Sequence, residues 1–505
     1  MPAHAPRRAA RPRPGRDHSG RPAANRSRAS RPRTDPARRA AYDVLRAVAD
    51  RDAYANLLLP ALLAERGLTG RDASFATELT YGTLRGRGSY DAILAACSDR
   101  DDIDPPVRDV LRLGAHQLLA TRVGSHAAVA TSVDLVKDVC GPRPSGFVNA
   151  VLRRVATRDL DGWIQLVAPD RSQDPSGYLA VRYSYPRWIV DAFRDALGPD
   201  AAEIDDALAA GNARPQVVLA LSPGADGPLP DGERTRWSPY GFRLAGGDPS
   251  PLVASGSAAV QDEASQLAAL ALTRTGVPGQ DKLWLDLCAG PGGKARLLGG
   301  LAAERGARLV AADLHPHRAR RVLDALARAD AENSAGRESS ASRESSASRE
   351  SYGVIAADGR QAPWPPGTFD RILADVPCSG LGSLRRRPEA RWRKAPGDVA
   401  ELASLQRQLL GTALDSVRPG GVVAYVTCSP HLAETRDVVL AVAQARDDVT
   451  ILDAPAVLAE VPRLRHADSG DGSRFAQFWP HRHGTDAIFL ALLRRNDSGS
   501  AEGAG

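Results

Sequence analysis

From about residue 283 the chain settles into short apolar runs: "LWLDL", "ARLVAAD", "YGVIAAD", "RILAD", "GGVVAYVT" and "AIFLALL". Amphipathic stretches such as "HRARRVLDALARA" and "VAELASLQRQLLGTAL" separate most of them. Parallel strands need crossover connections, usually helices, so the alternation predicts an α/β fold with a Rossmann-like, doubly wound parallel sheet. Ligands of such sheets bind beyond the carboxyl ends of the strands. The residues that end these strands are therefore the ones to weigh for chemistry.

The first strand runs into "LDLCAGPGGKA", residues 285–295. Gly290, Gly292 and Gly293 permit a close backbone approach at the strand-to-helix turn. A glycine loop alone is a weak signal, and this one is neither a GxGxxG fingerprint nor a Walker loop. The next strand ends in Asp313, where a carboxylate can accept from ribose hydroxyls. The third ends in Asp358 and the fourth in Asp375. A glycine loop and three aspartates thus gather on one edge without a phosphate-binding motif. A non-phosphorylated nucleoside such as S-adenosyl-L-methionine fits that set better than NAD or ATP.

Two of the five cysteines, Cys378 and Cys428, also follow strands, each with a serine behind it. A cysteine is by default a small buried hydrophobe. Here both thiols are expected to face the ligand cleft, and turn residues accompany each. Next to a methyl donor, thiols point to carbon methylation of a pyrimidine. Cytosine C5 is a poor nucleophile until a thiolate adds at C6, and a thiol both attacks and leaves well. Asp375 is placed to hold the ring N3 proton.

Upstream the pattern is different. Asp35 and Pro36 read as N-cap and first helical residue. "NLLLPALLAERGL", "ASFATELTYGTLRG", "SYDAILAAC", "PVRDVLRLGAHQLLAT", "AVATSVDLVKDV" and "SGFVNAVLRRVAT" carry helical spacing. Residues 36–160 are therefore expected to form an all-α domain. Residues 161–260 read as a small mixed linking subdomain, with a helix in "YPRWIVDAFRDALG" and a strand in "PQVVLAL". The methyl-transferring domain spans 261–495. "RESSASRESSASRES" repeats a six-residue unit and reads as a surface expansion within 334–351. Residues 1–35 and 496–505 read as disordered tails.

Charge separates the ends from the body. Net charge is only +6, yet residues 1–39 hold twelve arginines against Asp17 and Asp35. Such a segment cannot bury a core and suits either solubility or contact with nucleic-acid phosphates. It has no apolar h-region, so it does not read as a secretory signal. No apolar run approaches the roughly 18 residues of a membrane span. Cys97, Cys140, Cys288, Cys378 and Cys428 include no CxxC pair. Neither a disulfide framework nor a metal site is expected, and free thiols favour the cytoplasm.

At these motifs the sequence resembles the RsmB (Sun/Fmu) family of bacterial 16S rRNA 5-methylcytosine methyltransferases, from about residue 36 to 493. "LDLCAGPGGKA" resembles the family's cofactor loop, "DVPCSGLGSLRRRPEARW" its Pro-Cys motif and "YVTCS" its Thr-Cys-Ser motif. "QDEASQ" and "WPHRHGTDAIF" fit as well. The resemblance implies that Cys428 is the nucleophile and that Cys378 assists product release. It places Asp375 against the cytosine and near the cofactor, and Lys294 in the active site. Cys288, Ala289, Gly290, Pro291, Gly292, Gly293, Lys294, Asp313, Asp358 and Asp375 would hold S-adenosylmethionine. The helical half would be a NusB-like RNA-binding domain. After the Thr-Cys-Ser motif the family often has Pro-Glu-Glu-Asn; here "SPHLAETRD" keeps Glu434 and puts Thr435 at the Asn position.

The expected partner is ribosomal RNA in an unpaired or assembly-stage form, because a stacked base hides C6. Arg385, Arg386, Arg387, Arg391 and Arg393, close behind Cys378, are expected to meet its phosphates. Two rivals are an assembly or antitermination factor with a vestigial catalytic half, and an amino-group methyltransferase. The presence of both cysteines, Lys294 and Asp375 argues against the first. "DVPCS" argues against the second, which needs an Asn/Asp-Pro-Pro-aromatic motif after the fourth strand.

Overall fold

The computed structural model describes residues 34–224, 228–337, 351–466 and 473–497. The Arg-rich tail, most of the Ser/Arg/Glu repeat and most of the C-terminal tail lie outside them.

Seven helices build the first domain: Pro36–Arg51, Ala55–Glu65, Gly70–Arg85, Arg87–Cys97, Pro105–Ala120, Ser125–Val139 and Ser145–Val155. The Asp35 carboxylate accepts from Arg38 N–H at 2.9 Å, the N-cap expected from the sequence. Apolar faces of all seven meet in one core that includes Val44, Leu59, Leu79, Ile93, Leu111, Leu135 and Leu152.

Helices continue past residue 160, from Leu160–Val167 to Ile204–Ala210, and Arg187–Leu197 falls where it was expected. A four-stranded antiparallel sheet follows: β1 (Val218–Leu221), β2 (Gly232–Arg234), β3 (Gly241–Leu244) and β4 (Ala258–Val260), in the order β2-β3-β1-β4. Of these only β1 is legible as an apolar run. The next helix, Glu263–Arg274, is capped by Asp262, which accepts from Ala264 N–H at 3.0 Å.

The large sheet comprises β5 (Leu283–Asp286), β6 (Arg308–Asp313), β7 (Tyr352–Ala356), β8 (Phe369–Asp375), β9 (Val417–Thr427), β10 (Val449–Leu452), β11 (Ala476–Gln477) and β12 (Phe489–Arg495). The order is β10-β12-β9-β8-β5-β6-β7, with β11 beside β12. β5 to β9 pair in parallel, as expected. The sheet as a whole is mixed, which corrects the all-parallel expectation: β12 runs antiparallel to β9, β10 and β11. "AIFLALL" is buried on both faces, and a run of that kind does not encode strand direction. The alternation along β9 divides the core. Val422, Ala424 and Val426 face one apolar cluster, whereas Val423 and Tyr425 face the other.

Candidate active site

The parallel strands bring their carboxyl ends into line. Asp286, at the end of β5, pairs in register with Leu373, two residues before Asp375 ends β8. Asp375 in turn stands beside Val426, two residues before Cys428. Asp313 closes β6. Asp358 lies two residues past β7, where the Arg360 guanidinium takes its carboxylate at 2.6 Å and holds its pKa below the usual range.

The glycine loop is built for close approach. Gly290 N–H donates to Asp313 Oδ2 at 3.0 Å, and Arg318 donates to the Gly290 carbonyl at 2.6 Å. A Cβ at Gly290 would collide with the Asp313 carboxylate and with Arg318. Gly292 takes φ 112°, a left-handed conformation that glycine adopts at no steric cost, and caps the helix Gly293–Glu304. Ala289 N–H bonds to Ala312 O at 2.8 Å, so the loop is an extension of the β5–β6 pairing. Cys288 and Pro291 complete this turn; burial pushes the Cys288 thiol well above its ordinary pKa.

Lys294, in the first turn of that helix, reaches across to Asp375 Oδ2 at 2.8 Å. The ion pair keeps the Lys294 ammonium charged despite burial. Cys378 Sγ lies 3.2 Å from Cys428 Sγ. The Cys378 S–H donates toward Cys428, which lowers the Cys428 pKa; Lys294 adds to this, while burial and Asp375 oppose it. The same contact and its burial raise Cys378, which keeps its proton.

The serine behind each cysteine now has a purpose. Glu434, fully buried, accepts from Ser379 N–H at 2.7 Å, from Ser429 Oγ at 2.7 Å and from Ser379 Oγ. Gln406 donates both to Glu434 and to Pro377 O. One carboxylate therefore ties together the turns that carry the two thiols. Gly382 N–H adds a bond to Cys428 O at 2.9 Å.

Sequence reasoning singled out neither this clamp nor Asp286. Asp286 is fully buried, and no side chain hydrogen-bonds its carboxylate, which only the Cys288 backbone N–H and the Lys294 charge help to hold ionised. Burial, aided by Asp375, pushes its pKa up to about 8. The signal was present, since Asp286 ends its strand as Asp313 and Asp375 end theirs.

Four of the five arginines expected at RNA phosphates are corrected. Arg385 and Arg386 both bond to Asp262 at 2.8 Å and also to Asp486, forming a balanced two-by-two cluster. Arg391 is fully buried, stacked 3.7 Å over Tyr185, and donates to the carbonyls of Arg85, Ser184 and Gly211. Arg393 donates to Val48 O and Ala53 O of the first domain. A charge run does not reveal that its partners are distant carboxylates, as for Arg385 and Arg386, or backbone carbonyls of other domains, as for Arg391 and Arg393. Arg387 alone stays exposed, beside the Tyr54 ring.

Residues 275–494 match the family described as 16S rRNA methyltransferase RsmB/F, and residues 35–157 match the NusB family. The Mycobacterium tuberculosis protein Rv1407, named as a methyltransferase, is 50% identical over 475 residues, covering 91% of this chain and 97% of its own. Ribosomal RNA small subunit methyltransferase B of Sodalis glossinidius is 31% identical, with 87% and 96% covered. This chain belongs to the RsmB/F family. The solved structure of PH0851 has the same fold: it covers 91% of this chain and 99% of its own at TM-score 0.69 and 20% identity.

An RsmB/F protein is an RNA methyltransferase that uses S-adenosylmethionine, and the sheet edge described here fits that cofactor. Pro291 of the glycine turn is exposed at the sheet edge, and the buried Asp286 carboxylate beside it has no side-chain partner, which leaves hydrogen-bonding capacity there for a ligand. When bound, the cofactor supplies an electrophilic methyl group. Among the described residues no cluster suits a metal ion, and no helix is long and apolar enough to cross a membrane.

Proposed function

We propose that the protein methylates C5 of a cytosine in 16S ribosomal RNA through a covalent bond between Cys428 and C6. The observation that carries this reading is the 3.2 Å thiol pair beside the Lys294–Asp375 ion pair. One thiol is held protonated and the other is biased toward thiolate, a division that suits two different tasks. Cys428 attacks C6 and Asp375 holds the N3 proton, so that C5 gains the electron density to take the methyl group. The C5 proton then passes to water, which restores the ring and expels the Cys428 thiolate, with the Cys378 S–H assisting release by hydrogen-bonding the departing sulfur.

Gly290 to Lys294, Cys288, Ala289, Asp313, Asp358 and Asp375 hold the cofactor in this reading. The helical domain, residues 36–160, binds RNA, and such a substrate places the protein in the cytoplasm. Bisulfite sequencing of 16S rRNA from a deletion strain tests the proposal. One cytosine should lose protection, wild-type protein should restore it, and Cys428→Ala should not. An unchanged cytosine map in the deletion strain would overturn it.

A further inference from the structure

A cavity of about 370 Å3 opens where the small antiparallel sheet meets the C-terminal segment, lined by Arg234, Arg236, Trp237, Arg243, Arg482 and His483 with Glu233 and Glu263. Its acids are already engaged. Glu233 pairs with Arg243 at 2.7 Å, and Glu263 accepts from the N–H groups of Trp237 and Ser238 at 2.6 and 2.8 Å. Arg482 is held by Asp200 and Glu203. Arg234 and Arg236 are exposed, and neither forms an ion pair with a carboxylate among the described residues. The Arg236 guanidinium lies 4.4 Å over the Trp237 ring, while Trp237 also packs against the methyltransferase core.

The cavity is tied to the reacting thiols. Glu263 follows Asp262, which accepts from Asp486 N–H and pairs with Arg385 and Arg386. His483 precedes Asp486 by three residues, a span of at most ~11 Å. Ala487, next to Asp486, donates its N–H to Gly382 O at 2.9 Å, and Gly382 N–H in turn holds Cys428 O at 2.9 Å.

We infer that this cavity is a subsite for single-stranded RNA next to the target cytosine, with a base stacked at Trp237–Arg236 and phosphate at Arg234 and Arg236. The inference rests on the proposed RNA substrate. An aromatic face with cations in excess matches a flexible polyanion that carries a planar group at each unit. A free phosphate would use the arginines but not the indole.

The test uses the full-length protein, 16S rRNA transcripts, poly(U) and inorganic polyphosphate. Arg236→Glu and Trp237→Ala should each raise KM for the transcript about tenfold, with kcat within about twofold of wild type. Arg236→Glu should also reduce the slope of log Kd against log salt by about one, and Trp237→Phe should restore most of the Trp237→Ala loss. Poly(U) should lose affinity on Trp237→Ala while polyphosphate does not. Unchanged KM and salt slope in variants that melt and bind cofactor like wild type would overturn the subsite. So would an equal loss for polyphosphate and poly(U). If wild type binds transcripts without methylating them and the variants bind less, the substrate reading fails and the subsite stands.

Discussion

Cys378 Sγ and Cys428 Sγ sit 3.2 Å apart, held there by turns that share Glu434. Contact at that distance is a sulfur–sulfur hydrogen bond, and it shifts the two thiols in opposite directions, Cys428 down and Cys378 up. Cys428→Ala should lower the methyl-transfer rate by on the order of 10^4-fold or more, as loss of a covalent nucleophile does. Cys378→Ala should instead trap a protein–RNA adduct that survives a denaturing gel. A Cys428→Ala protein with near-normal activity would sink the mechanism.

The shared proton also sets a pH dependence. Cys428 is depressed by the Cys378 S–H, so its thiolate should persist below the roughly 8.5 of an ordinary thiol. Removing the donor in Cys378→Ala should move the titration upward. Alkylation of Cys428 by iodoacetamide, followed against pH by peptide mass spectrometry without RNA, reads this directly. Coincident profiles for wild type and variant would show that the contact does not tune the thiol.

Glu434 should matter to both geometry and stability. Glu434→Ala leaves Ser379 N–H and the Ser429 hydroxyl without their acceptor and takes one of two acceptors from the Ser379 hydroxyl and from Gln406, which should cost at least ~2 kcal/mol in denaturant unfolding. Released turns let the thiols drift, and a misplacement near 1 Å can cost on the order of 10^2-fold in kcat. Cofactor affinity should change little. If kcat is unchanged in the folded variant, the clamp does not position the sulfurs.

Much of the site is legible in the sequence, for a definite reason. Strand ends in a parallel sheet share one edge, so periodicity alone places Asp313, Asp375, Cys378 and Cys428 together. What escapes is set by partners distant along the chain. Glu434 is 55 residues from Ser379, and Arg391 meets Gly211 across 180 residues. The direction of β12 is hidden because its residues are buried on both faces. Arg391 illustrates the error most plainly: a basic run reads as solvated, yet this side chain is among the largest that are fully buried.

Arg391→Met therefore tests a fold prediction. Its guanidinium satisfies carbonyls of the first domain and of the linking helices, and burial already lowers its pKa. Loss of that donor should cost ~3 kcal/mol and loosen the seam, seen as faster hydrogen exchange around Ser184 and Gly211. The salt slope of RNA binding should not move. A reduced slope with unaltered stability would return Arg391 to the phosphate-binding set.

Asp286 should make stability depend on pH. Its folded-state pKa, about 8, lies above that of an unfolded aspartate. Between about pH 4 and pH 8 the native state therefore keeps a proton that the unfolded chain has released. Stability from this group falls as pH rises through that window, by up to ~1.4 kcal/mol per pH unit, and levels off above it. Asp286→Asn substitutes a neutral group of similar shape and removes this slope. Denaturant unfolding without cofactor at pH 5, 6, 7 and 8 should show the variant gaining on wild type at each step. Parallel curves would mean that Asp286 is already ionised at the sheet edge, and that Lys294 serves it as well as Asp375.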